Sequence, residues 1–229
     1  MKIWGNLICQ DGIYEILRCI ESVAPLVDEY YIMDGGSTDG TWELLNRYKD
    51  LYHLTLFQHP YDQQDYQRNR LLAKTPKGVW VVNIDQDEKL NHAAHLGLRD
   101  FIKRVSPDLY TNEERTLPLS VVCNNVNLVQ DLTHIDAGYV KYFTDKVFYN
   151  DRNLHFIYPY HCCLRYFDTE QNSNALHAPN DWAVLHYAYI NPERIANREA
   201  DVKSGKRQYR PDEWDISKKT IKTLAKEWI

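Results

Sequence analysis

The feature that most constrains the fold is the segment 79–88, which reads VWVVNIDQDE. Its first half is an unbroken apolar run, and only a strand buried on both faces tolerates such a run without alternation. The segment ends in three carboxylates, which therefore lie at the carboxyl end of the strand. Because Asp85 and Asp87 are two residues apart, extended backbone points their side chains the same way, so that they can share one divalent cation. An acidic strand end is also a common start of a turn, so the pattern needs structural context.

That context comes from the alternation of strand and helix patterns before this segment. Strand patterns lie at 2–8, 29–34 and 52–58, and helix patterns at 13–23, 42–48 and 66–73. Such alternation predicts an α/β fold with an open, mostly parallel sheet. Ligands of such sheets bind beyond the carboxyl ends of the strands, so we expect the polar loops that follow the strands to meet on one rim.

The second half of the chain has a different pattern. After a helix at 92–104, strand patterns at 116–128, 146–149, 154–158, 163–167 and 183–187 are separated by loops. They predict an antiparallel extension of the sheet. Helices are predicted at 191–202 and 211–229, and from Arg194 onward ten Lys or Arg face six Asp or Glu, a local charge of +4. We therefore predict a basic helical C-terminal extension over 191–229.

Composition limits the class of protein. The formal charge of −5 argues against a general nucleic-acid binder without excluding one. Five cysteines without zinc-type spacing favour free thiols in a reducing cytoplasm. The first residues lack the features of a signal peptide, and no apolar run approaches the roughly 18 residues that a membrane span needs. We expect a cytoplasmic protein and leave peripheral attachment to a membrane open.

Five segments in the first ninety residues resemble, in their order, the family 2 glycosyltransferases with the GT-A fold. They read CIESV at 19–23, VDE at 27–29, DGGSTDGT at 34–41, QRNR at 67–70 and IDQDE at 84–88. The resemblance implies a Rossmann-like sheet in a GT-A domain over 1–190. It also implies a nucleotide-binding half at 1–90 and an acceptor half at 91–190.

A nucleoside diphosphate sugar is the donor that the resemblance implies. The residues that match donor-binding positions of the family are Asp34, Gly35, Asp39, Arg68, Asn69 and Asp85. Glycine beside the first aspartate lets the backbone approach a ligand closely. Without the resemblance, these residues would read as a strand-to-helix turn and a solvated helix face.

The resemblance also implies a divalent cation, because the leaving group is a diphosphate whose charge grows as the glycosidic bond breaks. Asp87 and Asp85 are the predicted carboxylate ligands, and His186 is the predicted third ligand because many relatives carry a histidine in a similar His-Tyr context. Oxygen ligands suit Mg²⁺ or Mn²⁺, and a histidine favours Mn²⁺. The alternative for His186 is a packed strand histidine.

Residues for the acceptor are less clearly marked. An inverting transfer needs a carboxylate to accept the proton of the acceptor hydroxyl. Relatives often place it directly after the equivalent of His177, where this chain has Ala178. Asp181 is therefore the predicted base, ahead of Asp136 and Asp168. His177 and Arg165 are predicted to contact the acceptor or a phosphate.

These assignments together predict a metal-dependent glycosyltransferase that moves a sugar to a hydroxyl of a glycan, a lipid-linked sugar or another anionic acceptor. The resemblance favours inversion at the anomeric carbon, while retention also occurs in this fold. One alternative is a sugar-nucleotide pyrophosphorylase, although the segment CQDG at 9–12 lacks its basic, glycine-rich phosphate loop. The other is a binding module without a catalytic base.

Overall fold

Four parallel strands form the first half of the sheet, namely β1 (Ile3–Cys9), β2 (Glu29–Asp34), β3 (Leu54–Gln58) and β4 (Val79–Asn83). Their order in the sheet is β4-β1-β2-β3. Every residue of β1 and β4 is buried. This confirms that the apolar run at 79–88 begins as a central strand covered on both faces.

The structure is a computed structural model that describes residues 1–105, 119–137, 142–151, 154–157, 163–166, 174–190, 195–196, 200, 203–204 and 221–223. Within residues 1–105 the α-helices are α1 (Ile16–Val23), α2 (Thr41–Tyr48), α3 (Gln64–Lys74) and α4 (His92–Arg104). A short 3-10 helix, Ala24–Leu26, follows α1. The apolar side of α1, which includes Ile16, Ile20 and Val23, packs into the main core together with Leu7 and Val82 of the sheet.

Further strands, three to eleven residues long, extend the sheet beyond β4. They are β5 (Glu88–Leu90), β6 (Leu119–Val129), β7 (His134–Asp136), β8 (Tyr142–Asn150), β11 (Asn174–His177), β12 (Ala183–Tyr189) and β13 (Ile221–Thr223). β8 lies between β4 and β6 and is antiparallel to both. A separate antiparallel pair is formed by β9 (Leu154–Ile157) and β10 (Cys163–Tyr166). The predicted fold class, a mostly parallel α/β sheet with an antiparallel extension, is thus confirmed.

Two strands of the extension run parallel to β6 rather than antiparallel to it, namely β11 and β12. β12 is also paired, in antiparallel register, with the unpredicted strand β5, so that His186 lies opposite Glu88. This pairing matters for the site, because it brings a residue from near the C-terminal end of the domain to the acidic end of β4.

The C-terminal region is described only in part. Residues 195–196 and 200 are helical, in agreement with the helix predicted at 191–202, and residue 203, one past the predicted end, is helical as well. Residues Ile221–Thr223, within the second predicted helix, instead form β13, which pairs with β7. The hydrogen bonds of β7 therefore override helical periodicity there. The domain boundaries at 190 and 191 stay predictions, and no helix of the described ranges is long and apolar enough to cross a membrane.

Candidate active site

The loops that follow β1, β2 and β4 meet on one rim of the sheet. Backbone and side-chain atoms of Gln10 and Gln86 exchange two hydrogen bonds, of 2.9 and 3.1 Å, which join the first loop to the loop after β4. The Asp11 carboxylate accepts a hydrogen bond from the Thr38 N–H at 2.7 Å, and the Asp11 N–H donates to Ser37 Oγ at 2.9 Å. The expected convergence of polar loops is therefore present.

Asp34, at the end of β2, organises the second of these loops. Its side chain is fully buried, and its carboxylate accepts hydrogen bonds from the N–H groups of Gly36 and Ser37, both at 2.9 Å. The amide of Gln58 donates to the same carboxylate at 3.1 Å. Gly36 has φ +88°, a conformation that glycine adopts without strain. Asp34 thus fixes a sharp turn that exposes the backbone at Gly36.

Gly35 and Asp39 hold the two ends of this turn. A Cβ on Gly35 would lie 2.9 Å from Tyr61 Cβ, so the loop can pass here only because residue 35 is glycine. Burial opposes ionisation of Asp39, but hydrogen bonds from Thr41 and from the N–H of Ile13 hold the pKa of Asp39 below its usual value. The 3.0 Å bond to Ile13 ties the loop to the start of α1.

Asp85 lies in a network of buried charges. Its carboxylate pairs with the guanidinium of Arg68 on α3 and, at 3.0 Å, with the ammonium of Lys146 on β8. Lys146 also binds Glu88, with 2.7 Å between nitrogen and oxygen. Two of the three carboxylates at this strand end, Asp85 and Glu88, thus meet two cations from distant elements.

Burial and pairing set the ionisation of this network. Burial raises the pKa of Glu88, and the neighbouring Asp85 charge adds to the effect in spite of Lys146. Burial acts in the same direction on Asp85, but Arg68 and Lys146 outweigh it and lower the pKa of Asp85. Burial would lower the pKa of Lys146, yet Asp85 and Glu88 raise it above its usual range. Lys146 is therefore a permanent cation at the rim.

Asp87 and His186 are brought together by the pairing of β5 with β12. Nε2 of His186 lies 3.1 Å from Oδ2 of Asp87, and Nδ1 lies 2.7 Å from the amide oxygen of Asn127 on β6. Because that oxygen can only accept, Nδ1 carries the ring hydrogen. The lone pair of a neutral ring then faces the carboxylate across 3.1 Å. In this tautomer both facing atoms are electron-pair donors, an arrangement that suits a metal ion between them.

Asp87 and His186 are placed so that they could bind a divalent cation. The third predicted ligand, Asp85, has other partners. Asp87 and His186 offer one oxygen and one nitrogen donor, and the bond from His186 to Asn127 is the second-sphere contact typical of metal-binding histidines. Asp85 is instead occupied by Arg68 and Lys146. Accordingly, the described residues contain no group of three or more His, Cys, Asp or Glu side chains placed to bind one metal ion.

Asn69, predicted to bind the donor, contacts β9 in this structure. Its amide nitrogen donates to the carbonyl of Phe156 at 2.8 Å, and its amide oxygen accepts from the N–H of the same residue at 2.7 Å. Both ends of the amide thus attach β9 to α3. The guanidinium of Arg68 lies 5.5 Å from the centroid of the Phe156 ring, so β9 also covers the charged network.

Two of the predicted acceptor residues, Asp181 and His177, lie near ends of the strands β12 and β11. Asp181 is exposed just before β12, and its carbonyl accepts from the Asn91 side chain at 2.7 Å. β12 rises about 3.3 Å per residue, so its start lies about 10 Å from His186. His177 is exposed at the end of β11.

The remaining acceptor candidates are Asp136, Arg165 and Asp168, and the structure describes the side chain only of Asp136. Asp136 is buried in β7, at the far side of β6. Arg165 has its backbone in β10, opposite His155 of β9, and its side chain lies outside the described part. Asp168 lies wholly outside the described residues.

Three residues of the site were missed by the sequence analysis: Lys146, Glu88 and Asn127. A lysine or asparagine in a predicted strand reads as a surface residue, because charged and amide side chains are seldom buried alone. Only the long-range pairing of β4 with β8, and of β12 with β6, turns these side chains toward the carboxylates. Glu88 could have been found from the sequence, since it is the third carboxylate at the end of the segment 79–88.

Comparison with known sequences gives a family match for part of the chain. Residues 13–109 match the family model described as glycosyl transferase family 2. This segment, less than half of the chain, is similar to family 2 glycosyltransferases. The resemblance inferred from the five ordered motifs is thereby confirmed, and the family 2 segment contains α1 to α4 together with the acidic end of β4. No curated protein matches the sequence of this chain.

Solved structures share the fold of the whole described domain. TarS of S. aureus superposes with a TM-score of 0.52 at 15% identity, covering 94% of this chain and 42% of that chain. The TarS 1–349 complex with UDP-GlcNAc has the same score and identity, with 94% and 70% covered. A mannosyltransferase of Pyrobaculum calidifontis, bound to GDP-Man and Mn²⁺, gives 0.53 at 14% identity, with 92% and 66% covered. The chain thus spans less than half the length of the TarS chain, and these likenesses establish the GT-A fold.

Proposed function

We propose that this chain is a metal-dependent glycosyltransferase that moves a sugar from a nucleoside diphosphate sugar to an acceptor hydroxyl. The observation that carries the proposal is the 3.1 Å contact between the Asp87 carboxylate and Nε2 of His186, at the rim where the loops of the parallel strands meet. Polar loops at that rim are the usual ligand site of an open α/β sheet. The family 2 match supports the same conclusion.

Asp87 and His186 are the residues that would hold a divalent cation. Mn²⁺ and Mg²⁺ commonly take one or two protein ligands and complete their shell with substrate phosphate oxygens and water. When bound, the cation would neutralise charge on the departing diphosphate. Mn²⁺ is the better match because one of the two donors is an imidazole nitrogen.

The chain's own cations have a separate role in this proposal. Arg68 and Lys146 hold Asp85 in place beside the cation site, and they limit the negative charge that a diphosphate would otherwise meet there. Asp85 is predicted to contact the ribose or the metal. The turn fixed by Asp34 presents the backbone of Gly36 toward the rim, where the proposal places the nucleotide. The bound UDP-GlcNAc and GDP-Man of the two structural neighbours support a nucleotide sugar as donor.

A pyrophosphorylase activity is not favoured by the loop after β1. Such an enzyme needs free N–H groups to bind a triphosphate. Here the N–H groups of Gln10, Asp11, Gly12 and Ile13 all donate to side chains of the neighbouring loops, over 2.9 to 3.0 Å. The loop is therefore closed by its own hydrogen bonds.

Inversion at the anomeric carbon remains part of the proposal, and its base stays a prediction. An inverting base must reach the acceptor hydroxyl on the face opposite the leaving group. Asp181 is an exposed residue just before β12, the strand that contains His186. The anomeric configuration of the product, read by NMR, distinguishes inversion from retention.

The experiment that tests the proposal is a screen of nucleotide sugars with Mn²⁺ by thermal shift, followed by measurement of nucleoside diphosphate release. We expect one donor to stabilise the protein and to be hydrolysed slowly without acceptor, with both effects lost on adding a chelator. Binding without any release would instead indicate a binding module. Release of diphosphate from a nucleoside triphosphate and a sugar phosphate would indicate a pyrophosphorylase.

A further inference from the structure

A cleft of about 270 Å³ lies between α1, β5 and the start of α4, and the proposed donor site does not use it. Its lining includes Arg18 and Glu21 of α1, Lys89 of β5, and His92 and His95 of α4. Pockets for whole small molecules typically have roughly 300–1,000 Å³. This cleft is therefore large enough for one small polar group of a ligand and too small for a nucleotide sugar.

The cleft carries positive charge that the protein does not neutralise. Neither Arg18 nor Lys89 forms an ion pair with any residue that the structure describes. Glu21, the acidic residue of the lining, instead accepts a hydrogen bond from the Tyr52 hydroxyl at 3.3 Å. Two permanent cations and two imidazoles thus face one carboxylate, which favours an anionic ligand.

Arg18 is also held in place for binding. Its guanidinium lies over the ring of Tyr187, 4.3 Å from the ring centroid. A stacked guanidinium keeps its N–H edge available for hydrogen bonds and loses little further side-chain freedom when it binds. At the opposite wall, Nδ1 of His95 lies 3.1 Å from the carbonyl oxygen of Ser22, which fixes that ring.

The cleft adjoins the candidate active site along two strands. Lys89 directly follows Glu88, and Tyr187 directly follows His186. Side chains alternate along a strand, so Lys89 points away from the Asp85 network while remaining one residue from it. The N–H of Tyr187 donates to the carbonyl of Asp87 at 2.8 Å, so the two sites share backbone. The cleft and the candidate active site are therefore neighbours on opposite faces of the same two strands.

We infer that this cleft binds a phosphate ester carried by the acceptor. A guanidinium beside an ammonium is the donor pair that suits phosphate oxygens, and it would hold the acceptor by a group remote from its reacting hydroxyl. The role as acceptor site rests on the proposed function, whereas affinity for a phosphate ester does not. The ester belongs either to a soluble acceptor or to a lipid headgroup.

The test measures phosphate ester binding directly, without turnover. Glycerol 3-phosphate is titrated by calorimetry into the wild type, into the double variant Arg18→Gln/Lys89→Gln, and into the control Lys49→Gln/Lys103→Gln, which removes two exposed lysines elsewhere. Sedimentation with phosphatidylglycerol vesicles, against phosphatidylcholine vesicles, forms the second arm. We expect binding in one arm to weaken about tenfold or more in the first variant and to be unchanged in the control.

The arm that responds identifies the source of the ester. Loss of glycerol 3-phosphate binding indicates a soluble acceptor, and loss of vesicle binding alone indicates a lipid headgroup. Equal affinities of wild type and Arg18→Gln/Lys89→Gln in both arms would overturn the inference. Thermal shift with the donor and Mn²⁺ is measured on the same samples. A missing donor response there would count against the proposed function and leave the result on the cleft standing.

Discussion

Lys146 is the residue on which the charge balance of the rim depends. It is buried, and its ammonium bridges Asp85 at 3.0 Å and Glu88 at 2.7 Å. Buried ion pairs add little net stability, because desolvation offsets most of the attraction. Removing one partner is costly all the same, since it leaves buried charge without compensation. The network is therefore better explained by the position it gives to Asp85 than by stabilisation of the fold.

Replacing Lys146 by methionine tests that dependence. We expect Lys146→Met to lower the free energy of unfolding by about 3–5 kcal/mol, because Glu88 and Asp85 lose their shared cation. The double variant Lys146→Met/Glu88→Gln should recover part of the loss. Lys103→Met, which breaks the exposed pair with Asp100, is the control and should cost less than about 1 kcal/mol. Similar losses for the two lysine variants in urea unfolding would contradict a buried network.

Asn127 is predicted to act on the metal through His186. Its amide oxygen, 2.7 Å from Nδ1, holds the ring so that Nε2 faces Asp87. We expect Asn127→Leu to weaken Mn²⁺ binding about 10- to 100-fold, and Asn127→Asp, which keeps an acceptor, to retain most of it. Mn²⁺ affinity is measured by electron paramagnetic resonance with a nucleoside diphosphate present. Equal weakening by both variants would show that the amide oxygen does not orient the ring.

Asp39 gives the rim a defined pH dependence. Its folded-state pKa is lowered, so ionised Asp39 stabilises the fold fully above its unfolded pKa of about 3.9. That stabilisation is lost as the pH falls through the lower folded value. The difference in unfolding free energy between wild type and Asp39→Asn should therefore be constant above about pH 5 and shrink below about pH 4. Urea unfolding across this range measures it, and a difference independent of pH would contradict the assignment.

At the scale of elements, helix α3 supports the site through two neighbouring residues, one of which attaches strand β9 to the helix. Asn69 uses both ends of its amide on the backbone of Phe156, over 2.8 and 2.7 Å. The side chain preceding it, Arg68, pairs with Asp85 instead. Adjacent residues of one helix thus serve different purposes, one attaching β9 and the other ordering the acidic loop.

The variant Asn69→Ala distinguishes a role in attaching β9 from a role in binding the donor. Loss of two partly buried hydrogen bonds should cost about 2 kcal/mol and abolish the hydrogen-exchange protection of the Phe156 N–H. Asn46→Ala, which removes one exposed bond within α2, is the matched control and should cost less than about 0.5 kcal/mol. Donor affinity should be the same in both variants. A selective loss of donor affinity in Asn69→Ala would restore the donor-contact role that the family motif implies.

At the scale of the whole molecule, the sequence predicts best what depends on local pattern. Periodicity places α4 at residues 92–104 and β2 at residues 29–34 without error. Alternation of elements predicts the parallel half of the sheet and, through it, the meeting of the loops that contain Asp34 and Asp87. These features follow from side chains close together in the sequence.

Features that depend on pairing between strands far apart in the sequence could not be predicted from local patterns. The three-residue strand β5 is too short for a periodic signal, and its partner β12 lies about ninety residues further along. Lys146 reads as a surface lysine until β8 is placed between β4 and β6. The proximity of His186 to Asp87 was predicted from the family resemblance rather than from periodicity.

The most direct test of the account is the rate of nucleoside diphosphate release from the preferred donor, with saturating Mn²⁺, for wild type, Asp87→Asn and the exposed control Asp50→Asn. Asp87→Asn keeps the size of the side chain and removes the charge beside His186. The account predicts a loss of at least about a hundredfold for Asp87→Asn, an unchanged rate for Asp50→Asn, and no release by the wild type in a chelator. A wild-type rate in Asp87→Asn, or turnover that persists in the chelator, would contradict it.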